Sequence, residues 1–556
     1  MIDKKEIINL LESMANLMEF SGENRFKIIA FKNAANTIRR LEPDLAALIN
    51  EKQLDRIKGI GKGIQSVIYD YAENGKSLEY EELKNSIPEG IPELFEIRGL
   101  GAKKIRTLYD EIGVSNIGEL EYACRENRLA LLKGFGEKTQ SNILDQIEKR
   151  KIYSRFILIS EADKRVKEIY HTLNKIKAIE KAEVSGELRR GMEIISKLEF
   201  ILLVNKIAEF TEQLNSAFEF SKQNDVINLK TDWSIPVRLY LCNSAEDFIK
   251  KQFEITGSQE FIEKLPPLKL NKFSSEEEIF SHLKFPYIIP EMREVNWFEI
   301  KNQKIKKNSD LDENKFKGLL HFHTTYSDGR NTLRQMIDTA GDKKFLYAVV
   351  CDHSQSAFYA NGLKEEDVLR QMAEVKKINE VNKIKVYQGI ESDILPEGML
   401  DYPDDFLENF DMVVASVHSG FSLSKDEMTA RIIKAVENPL TDILAHPSGR
   451  LLLSRDPYEF DVKKVIDACA ANDVSIEINS NPRRLDLDWR WIYYAREKGC
   501  TFAINPDAHS VEDIGYIKFG VKVARKGGMQ SSEVVNYFEP EKFEKYLNRK
   551  VKRALQ

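Results

Sequence analysis

Two histidines stand one residue apart in Gly318-Leu-Leu-His-Phe-His-Thr-Thr-Tyr-Ser-Asp-Gly329, and the carboxylate of Asp328 follows on the same stretch. On a β-strand, residues i and i+2 face the same side, so His321 and His323 are expected to reach one spot. Neutral imidazoles joined by a carboxylate form a ligand set for Zn or Mn. An isolated pair would carry little weight as a surface strand with two incidental histidines. The chain, however, has 8 histidines, and six of them follow residue 320, each at the end of an apolar run. Tyr347-Ala-Val-Val-Cys ends in Asp352-His353, and Val386-Tyr-Gln-Gly-Ile ends in Glu391-Ser-Asp393. Met412-Val-Val-Ala-Ser-Val ends in His418, Asp442-Ile-Leu-Ala ends in His446, and Thr501-Phe-Ala-Ile-Asn-Pro ends in Asp507-Ala-His509. Val474-Ser-Ile-Glu-Ile-Asn479 completes the series without a histidine.

Such residues need elements that bring them together. Seven short apolar runs, each separated by room for a helix, read as repeated βα units. Barrels built this way place their chemistry at the C-terminal ends of the strands, which is where the ligand-type residues fall.

From about residue 316 to 556 the chain resembles a PHP domain (polymerase and histidinol phosphatase). The resemblance implies a distorted (β/α)7 barrel with two to three divalent ions. Zn or Mn are the expected metals, with Mg or Fe also compatible. The family's ligand pattern maps onto His321, His323, Asp328, His353, Glu391, His418, His446, Asp507 and His509. It further implies a partition: His321, His323, Glu391 and Asp507 on one ion, Glu391 bridging to a second held with Asp328 and His353, and His418, His446 and His509 on a third. Asp328, Glu391, Asp507 and Arg450 are then the catalytic candidates. Such a cluster suits phosphoester hydrolysis, where one ion activates water and others hold the phosphate and leaving oxygens. Arg450 and the pair Arg483-Arg484 are phosphate clamps or structural ion pairs. Asp352 and Asp393 orient ligand histidines or cap helices, and Glu477 and Asn479 are expected at the rim. His171 and His282 lie in helical contexts and are not catalytic candidates.

The first 150 residues read as all-helical, from the spacing of apolar residues in Ile7–Met18 and Phe26–Arg40. A repeat runs through them: Ile57-Lys-Gly59-Ile-Gly61-Lys62, Ile97-Arg-Gly99-Leu-Gly101-Ala-Lys103 and Leu132-Lys-Gly134-Phe-Gly136-Glu-Lys138. Glycines permit a tight turn and close approach, and a helix beginning just after offers free N–H groups to a phosphate. The repeat resembles the helix-hairpin-helix motif, which holds DNA backbone without reading sequence.

Between these regions, Val184-Ser-Gly-Glu-Leu-Arg189-Arg190-Gly-Met-Glu-Ile-Ile-Ser-Lys197-Leu-Glu199 resembles the palm of family-X DNA polymerases. Thr256-Gly-Ser258 and the Phe285–Glu294 segment fit the thumb, and the whole chain has the order of a bacterial family-X polymerase with an α+β palm and thumb. The departures fall on the chemistry. The family's Asp-x-Asp pair falls at Lys197 and Glu199, its third aspartate at Pro236, and its motif serine at Glu187. Nucleotidyl transfer needs clustered carboxylates around two ions, so this palm is expected to be folded and inactive. Arg189 and Arg190 bind phosphate or form an ion-paired turn. The family's Schiff-base lysine falls at Val67, which has no amine.

The layout expected is a lyase-like helical domain over 1–90, a fingers-like hairpin domain over 91–151, palm over 152–240, thumb over 241–301, a polar linker over 302–315 and the barrel over 316–556. A net charge of -6 over 556 residues argues against bulk electrostatic grip on nucleic acid. Residues 1–150 carry 23 Lys and Arg against 25 Asp and Glu, so DNA contact there must come from local geometry. The five cysteines form no C-x-x-C pair, which fits a reduced cytoplasm, and Cys351 and Cys469 read as core. Neither a signal peptide nor a membrane-spanning run is apparent. The reading is a monomeric, cytoplasmic, metal-dependent DNA phosphodiesterase of the 3'-5' exonuclease or abasic-site repair type, acting at ends, gaps or abasic sites. Its alternatives are an active polymerase with nuclease proofreading, a histidinol-phosphate-like phosphatase and a non-catalytic DNA-binding scaffold.

Overall fold

The computed structural model describes residues 4–41, 45–129, 132–268, 272–302 and 304–549. The outermost residues of the expected first and last domains, and Gln303 of the expected linker, lie outside the described residues. The chain forms two compact units, Met1–Ser154 and Arg155–Gln556.

The first unit is helical throughout its described residues. Lys4–Ser21 buries Ile7, Leu10, Leu11, Met14, Leu17 and Met18, a stripe at intervals of three and four. Asn24 caps the next helix, Arg25–Arg39, its Oδ1 accepting from Phe26 N at 2.8 Å. The apolar side chains form two separate cores. One holds Ile7, Phe31, Leu54 and Ile68, and the other Phe20, Leu94, Leu108, Leu120 and Ile143.

The second unit begins with a short antiparallel pair, β1 (Ile157–Leu158) and β3 (Ile194–Ile195). A mixed five-stranded sheet comprises β2 (Ile179–Val184), β4 (Leu198–Val204), β5 (Phe220–Gln223), β6 (Val226–Leu229) and β7 (Val237–Cys242), in the order β2-β4-β7-β6-β5. β4 is an interior strand, near-continuously apolar as burial on both faces demands. Phe200, Leu202 and Val204 face one core, while Ile201 packs with Cys242 and Phe248 on the other. Helices Ala245–Thr256 and Glu276–His282 add a cluster built on Phe253, Phe261, Phe280 and Trp297.

Seven parallel strands then run in sequence order: β8 (Gly318–Phe322), β9 (Tyr347–Val350), β10 (Lys385–Asp393), β11 (Met412–Ser416), β12 (Ile443–Leu444), β13 (Ser475–Asn479) and β14 (Phe502–Asn505). A parallel bridge from Phe322 to Ala508 nearly closes the ring. Alternate residues split as the pleat requires. Leu320, Val349, Val414, Ile443 and Ala503 fill the barrel, and Leu319, Val350, Val413, Leu444 and Ile504 face the surrounding helices. Phe543 of the last described helix, Pro540–Leu547, packs into the bottom of the barrel, its ring stacked 4.1 Å from Tyr347.

Residues 304–315, within the expected linker, are held against the barrel. Leu311 is buried, Ser309 Oγ donates to Met529 O at 2.5 Å, and Ser531 N donates to Asp310 at 2.7 Å. The segment's polar composition serves hydrogen bonds to the barrel. A single apolar cluster runs from Ile159 and Phe200 to Ile504 and Val523, so palm and barrel share one core.

Candidate metal centre

The ligand-bearing strand ends are not regular. Pairing of β8 with β9 jumps from Leu319↔Ala348 to Phe322↔Val350, and His321 stands at φ +54°. A regular strand would place His321 with Leu319, towards the outer helices. The bulge at His321 instead turns both His321 and His323 into the barrel mouth. His446 and Asp507 also have positive φ, +27° and +50°. Such backbone persists in non-glycine residues only where its surroundings impose it. Here His446 N donates to Glu477 Oε2 at 2.9 Å, and His323 N donates to Ala508 O at 2.8 Å.

All nine predicted ligands converge on this mouth. His323, Asp328, His353 and His509 each place one donor atom within 4.8 Å of the others; so do His321, His323 and Asp507, and so do His353, Glu391 and His418. Glu391 is the centre. Its Oε2 lies 2.9 Å from His353 Nδ1 and 3.6 Å from both His321 Nε2 and His323 Nε2, and its Oε1 lies 3.0 Å from His446 Nε2 and 3.4 Å from His418 Nε2. Four buried atoms at the mouth have no hydrogen-bond partner: His321 Nε2, His323 Nδ1, His353 Nδ1 and Glu391 Oε2. Buried polar atoms are normally satisfied. Lone pairs aimed at common points and left unpaired fit divalent ions.

The electrostatics agree with this fit. Burial alone would raise the Glu391 carboxyl, but His353, His418 and His321 hold it well below the usual carboxylate range. Asp507 is likewise held low against burial, chiefly by His321 and His323. Burial and the neighbouring His509 and His353 push His323 down to about 4, its neutral ligand form. Burial opposes charge on His418 and His509, yet adjacent carboxylates lift them to about 9 and about 10. The carboxylates thus call for positive charge that divalent ions would supply, displacing those protons.

Three expectations are corrected. His509 does not sit with His418 and His446; its Nε2 is 3.4 Å from Asp328 Oδ2, and its ring stacks 4.2 Å from His323. Glu477 is not at the rim but fully buried, accepting from His321 Nδ1 at 2.6 Å and from Asn505 at 2.9 Å. Asn479 is buried beside it and donates to Asp507 Oδ2 at 3.0 Å. Arg450 is no clamp. Its guanidinium is used by Asp488 Oδ2 at 2.7 Å, Arg484 O at 2.8 Å and Leu485 O. The loop it ties down carries Arg484, whose Nε lies 3.5 Å from Asp507 Oδ2 at the mouth, while Arg483 is exposed. Asp393 orients His418, Oδ1 to Nδ1 at 2.6 Å. Asp352 instead ties the loop after β8, accepting from Thr324 N and Oγ1, both at 2.7 Å. The signal for Glu477 lay in Ser475-Ile-Glu-Ile-Asn479, where polar residues occupy every inward position of the strand.

The palm is arranged differently. Lys197 Nζ lies 3.0 Å from Glu199 Oε1, and Tyr240 OH donates to the same oxygen at 2.9 Å. Pro236 contributes only its carbonyl, to Leu198 N at 2.9 Å. Arg189 and Arg293 both grip Glu276 through two nitrogens, and Arg190 Nε donates to Glu294 at 2.9 Å. Both Arg189 and Arg190 therefore form internal ion pairs. Val67 is buried in the first unit's core.

The three repeats share one backbone form. Gly59, Gly99 and Gly134 have φ of +96°, +86° and +90°, a turn that favours glycine. Gly61, Gly101 and Gly136 precede helices starting at Lys62, Ala102 and Glu137, in extended backbone open to any residue. A Cβ there would meet nothing within 4 Å. Internal packing does not demand these second glycines; close approach of a partner would. Lys62, Lys103 and Lys138 are exposed beside them.

No helix among the described residues is long and apolar enough to cross a membrane. Residues 2–77 match a helix-hairpin-helix domain, 91–149 a SAM-like helix-hairpin-helix tandem and 320–481 a PHP domain. The chain is 29% identical to a probable phosphatase of Thermoanaerobacter sp. (strain X514), across 31% of this chain and 71% of the relative. A probable phosphatase of Acetivibrio thermocellus is 27% identical, across 42% of this chain and 95% of the relative. The DNA polymerase/3'-5' exonuclease PolX of Bacillus subtilis is 35% identical over 98% of this chain and 99% of its own length. The chain therefore belongs to the bacterial family-X DNA polymerase family that carries a C-terminal PHP domain.

Proposed function

We propose that this protein is a metal-dependent DNA phosphodiesterase, a 3'-5' exonuclease or abasic-site repair enzyme of the cytoplasm, and that its palm does not polymerise. The observation that carries the first part is the set of unpaired nitrogen and carboxylate lone pairs converging around Glu391. Two to three divalent ions, Zn or Mn, would be held by His321, His323, Asp328, His353, Glu391, His418, His446, Asp507 and His509. Bound there, they supply activation of water and neutralisation of phosphate charge. Glu477 holds the His321 ring by its Nδ1, leaving Nε2 for the ion. Asp393 does the same for His418. Arg484 offers its guanidinium to a phosphate oxygen, held in place by Arg450. Gly61, Gly101 and Gly136, with Lys62, Lys103 and Lys138, contact DNA phosphates at ends, gaps or abasic sites. The five cysteines are unpaired and buried, as in a reducing compartment.

The second part rests on the palm. Lys197 puts a cation where a metal would need an anion, and Pro236 has no ligand atom on its side chain. One carboxylate, already engaged by Lys197 and Tyr240, cannot hold two ions.

The test uses end-labelled DNA with Mn, with and without dNTPs, on the intact chain and on a His321→Ala, His323→Ala variant. Shortening that disappears in the variant is expected. Template-directed lengthening above a metal-free control would overturn the assignment of an inactive palm.

A further inference from the structure

The loop after β9 carries two large aromatic side chains into solvent. Phe358 is 87% exposed and Tyr359 is 67% exposed. They are neighbours in the single turn Phe358–Ala360. Rings of this size normally bury most of their surface, and an exposed apolar pair beside a cleft marks a contact site.

The loop is fastened to the metal centre. Leu363 N donates to His353 O at 2.8 Å, and Gly362 N donates to Ala357 O at 3.1 Å. A Cβ on Gly362 would meet Ser354 O at 1.8 Å, so the loop folds tightly onto its own stem. Ser356 N donates to Asp401 Oδ2 at 2.7 Å, and Ser356 Oγ donates to Asp393 Oδ2 at 2.9 Å. Asp393 is the carboxylate that orients His418. Tyr402 OH closes the stem by donating to Leu363 O. The aromatic pair is thus pinned to His353 on one side and to the partner of His418 on the other. The Tyr359 ring lies 6.1 Å, centroid to centroid, from both His353 and His418. That is comparable with the separation of a nucleotide's phosphate from its base.

We propose that Phe358 and Tyr359 form a stacking platform for the unpaired base of the nucleotide whose phosphodiester lies at the metal centre. This deepens the nuclease reading and rests on it. Every base has a π face, so a platform of this kind tolerates all sequences while demanding that the base be unpaired. It selects a strand end or an abasic-site neighbour that can splay out, and gives a small phosphomonoester no comparable hold.

The test compares the full-length protein with a Phe358→Ala, Tyr359→Ala variant and with Tyr359→Phe. The substrates, with Mn, are a single-stranded oligodeoxynucleotide and the same strand whose 3'-terminal nucleotide lacks its base. The double variant is expected to raise KM about tenfold on the normal strand and to leave KM for the baseless strand unchanged. Tyr359→Phe, which keeps the ring, is expected to retain most of the binding and quenching that the double variant loses. A separate readout needs no turnover: a 3'-terminal 2-aminopurine should lose fluorescence on binding the metal-free unaltered protein and keep it with the double variant. An equal KM rise on both strands would mean a structural role, and a kcat loss in Tyr359→Phe would mean a role for the hydroxyl; either overturns the platform. DNA shortened equally well by every variant, with equal quenching, removes the platform alone. Failure of the unaltered protein to shorten DNA removes the nuclease reading beneath it.

Discussion

In the palm, Glu199 is met by one resident cation, Lys197 at 3.0 Å, and by the hydroxyl of Tyr240 at 2.9 Å on the same oxygen. In the barrel, Glu391 is met by five imidazoles, His321, His323, His353, His418 and His446, at 2.9 to 3.6 Å. Both carboxylates are buried, and both need positive charge nearby. An ammonium meets that need permanently and offers no lone pair to an ion. Imidazoles meet it through exchangeable protons and keep lone pairs to offer a metal. The nearby palm arginines repeat the first pattern. Arg189 and Arg293 share Glu276, and Arg190 and the buried Lys526 share Glu294. The two regions show that counting acidic residues does not find a metal site; the charge type facing them does.

The largest effect should come from removing imidazoles in the barrel. His321→Ala with His323→Ala is expected to lower Mn-dependent DNA shortening about 10³-fold or more, because the ions supply several kcal/mol to the transition state. Metal content by mass spectrometry should fall with it. The palm counterpart, Lys197→Ala, should leave shortening unchanged. If Lys197→Ala abolished it, the contrast between the two sites would fail.

The next largest concerns stability. Burial raises the Glu276 carboxyl, but hydrogen bonds from Arg189 and Arg293 outweigh it and bring it from 4.5 to about 2. A depressed carboxyl stabilises the fold fully above its unfolded pKa, and the contribution is lost as pH falls from about 4.5 towards 2. Glu276→Gln strands the buried Arg293 charge and should cost about 3 kcal/mol at pH 7. All four tryptophans lie after residue 155, so their fluorescence in urea reports this unit. The difference between variant and parent should narrow from pH 7 to pH 3. A constant difference would show that Glu276 is packing, not charge pairing.

Much of this was legible in the sequence, and the misses have physical causes. The seven βα runs were visible because parallel strands buried on both faces are short apolar segments ending in ligand-type residues. The nine candidate ligands were visible because eight of them sit at strand ends and Asp328 follows on the loop after the first strand. Their grouping was not. His509 lies two residues after Asp507, but a positive φ at Asp507 re-aims the chain towards Asp328. Arg450 read equally as a clamp or a structural ion pair, because an exposed and a buried arginine are identical as letters; it is the ion pair. Its partners, the carbonyls of Arg484 and Leu485, come from a loop more than 30 residues away. That residues 304–315 lie against the barrel was not visible, because hydrogen bonding to a neighbouring surface and solvation use the same polar residues. Lys197 and Pro236 were readable because a lost ligand atom needs no coordinates.

A smaller effect sharpens the barrel side. Glu477→Gln keeps the shape but changes what His321 Nδ1 faces at 2.6 Å. Outer partners of this kind are worth about 10- to 100-fold in affinity or activity. Shortening should fall by that much and recover at higher Mn. No recovery at any Mn concentration would mean that Glu477 touches the reacting atoms.

The smallest effect belongs to the hairpins, where geometry replaces bulk charge. Lys138 stands exposed at the start of the helix Glu137–Tyr153, beside the open space over Gly136. Removing one phosphate contact weakens DNA binding similarly for every sequence and reduces the salt slope by about one. Lys138→Ala should therefore bind DNA a few-fold more weakly at low salt, with a slope of log K against log salt shallower by about one unit. Gly136→Val should lose more, although its extended backbone admits valine and no neighbour obstructs it. The comparison separates space from charge: if valine were harmless while alanine at 138 mattered, the second glycine would not be where the backbone meets phosphate. If both losses vanish, the open face of this repeat does not carry the DNA, and the grip must come from the other two.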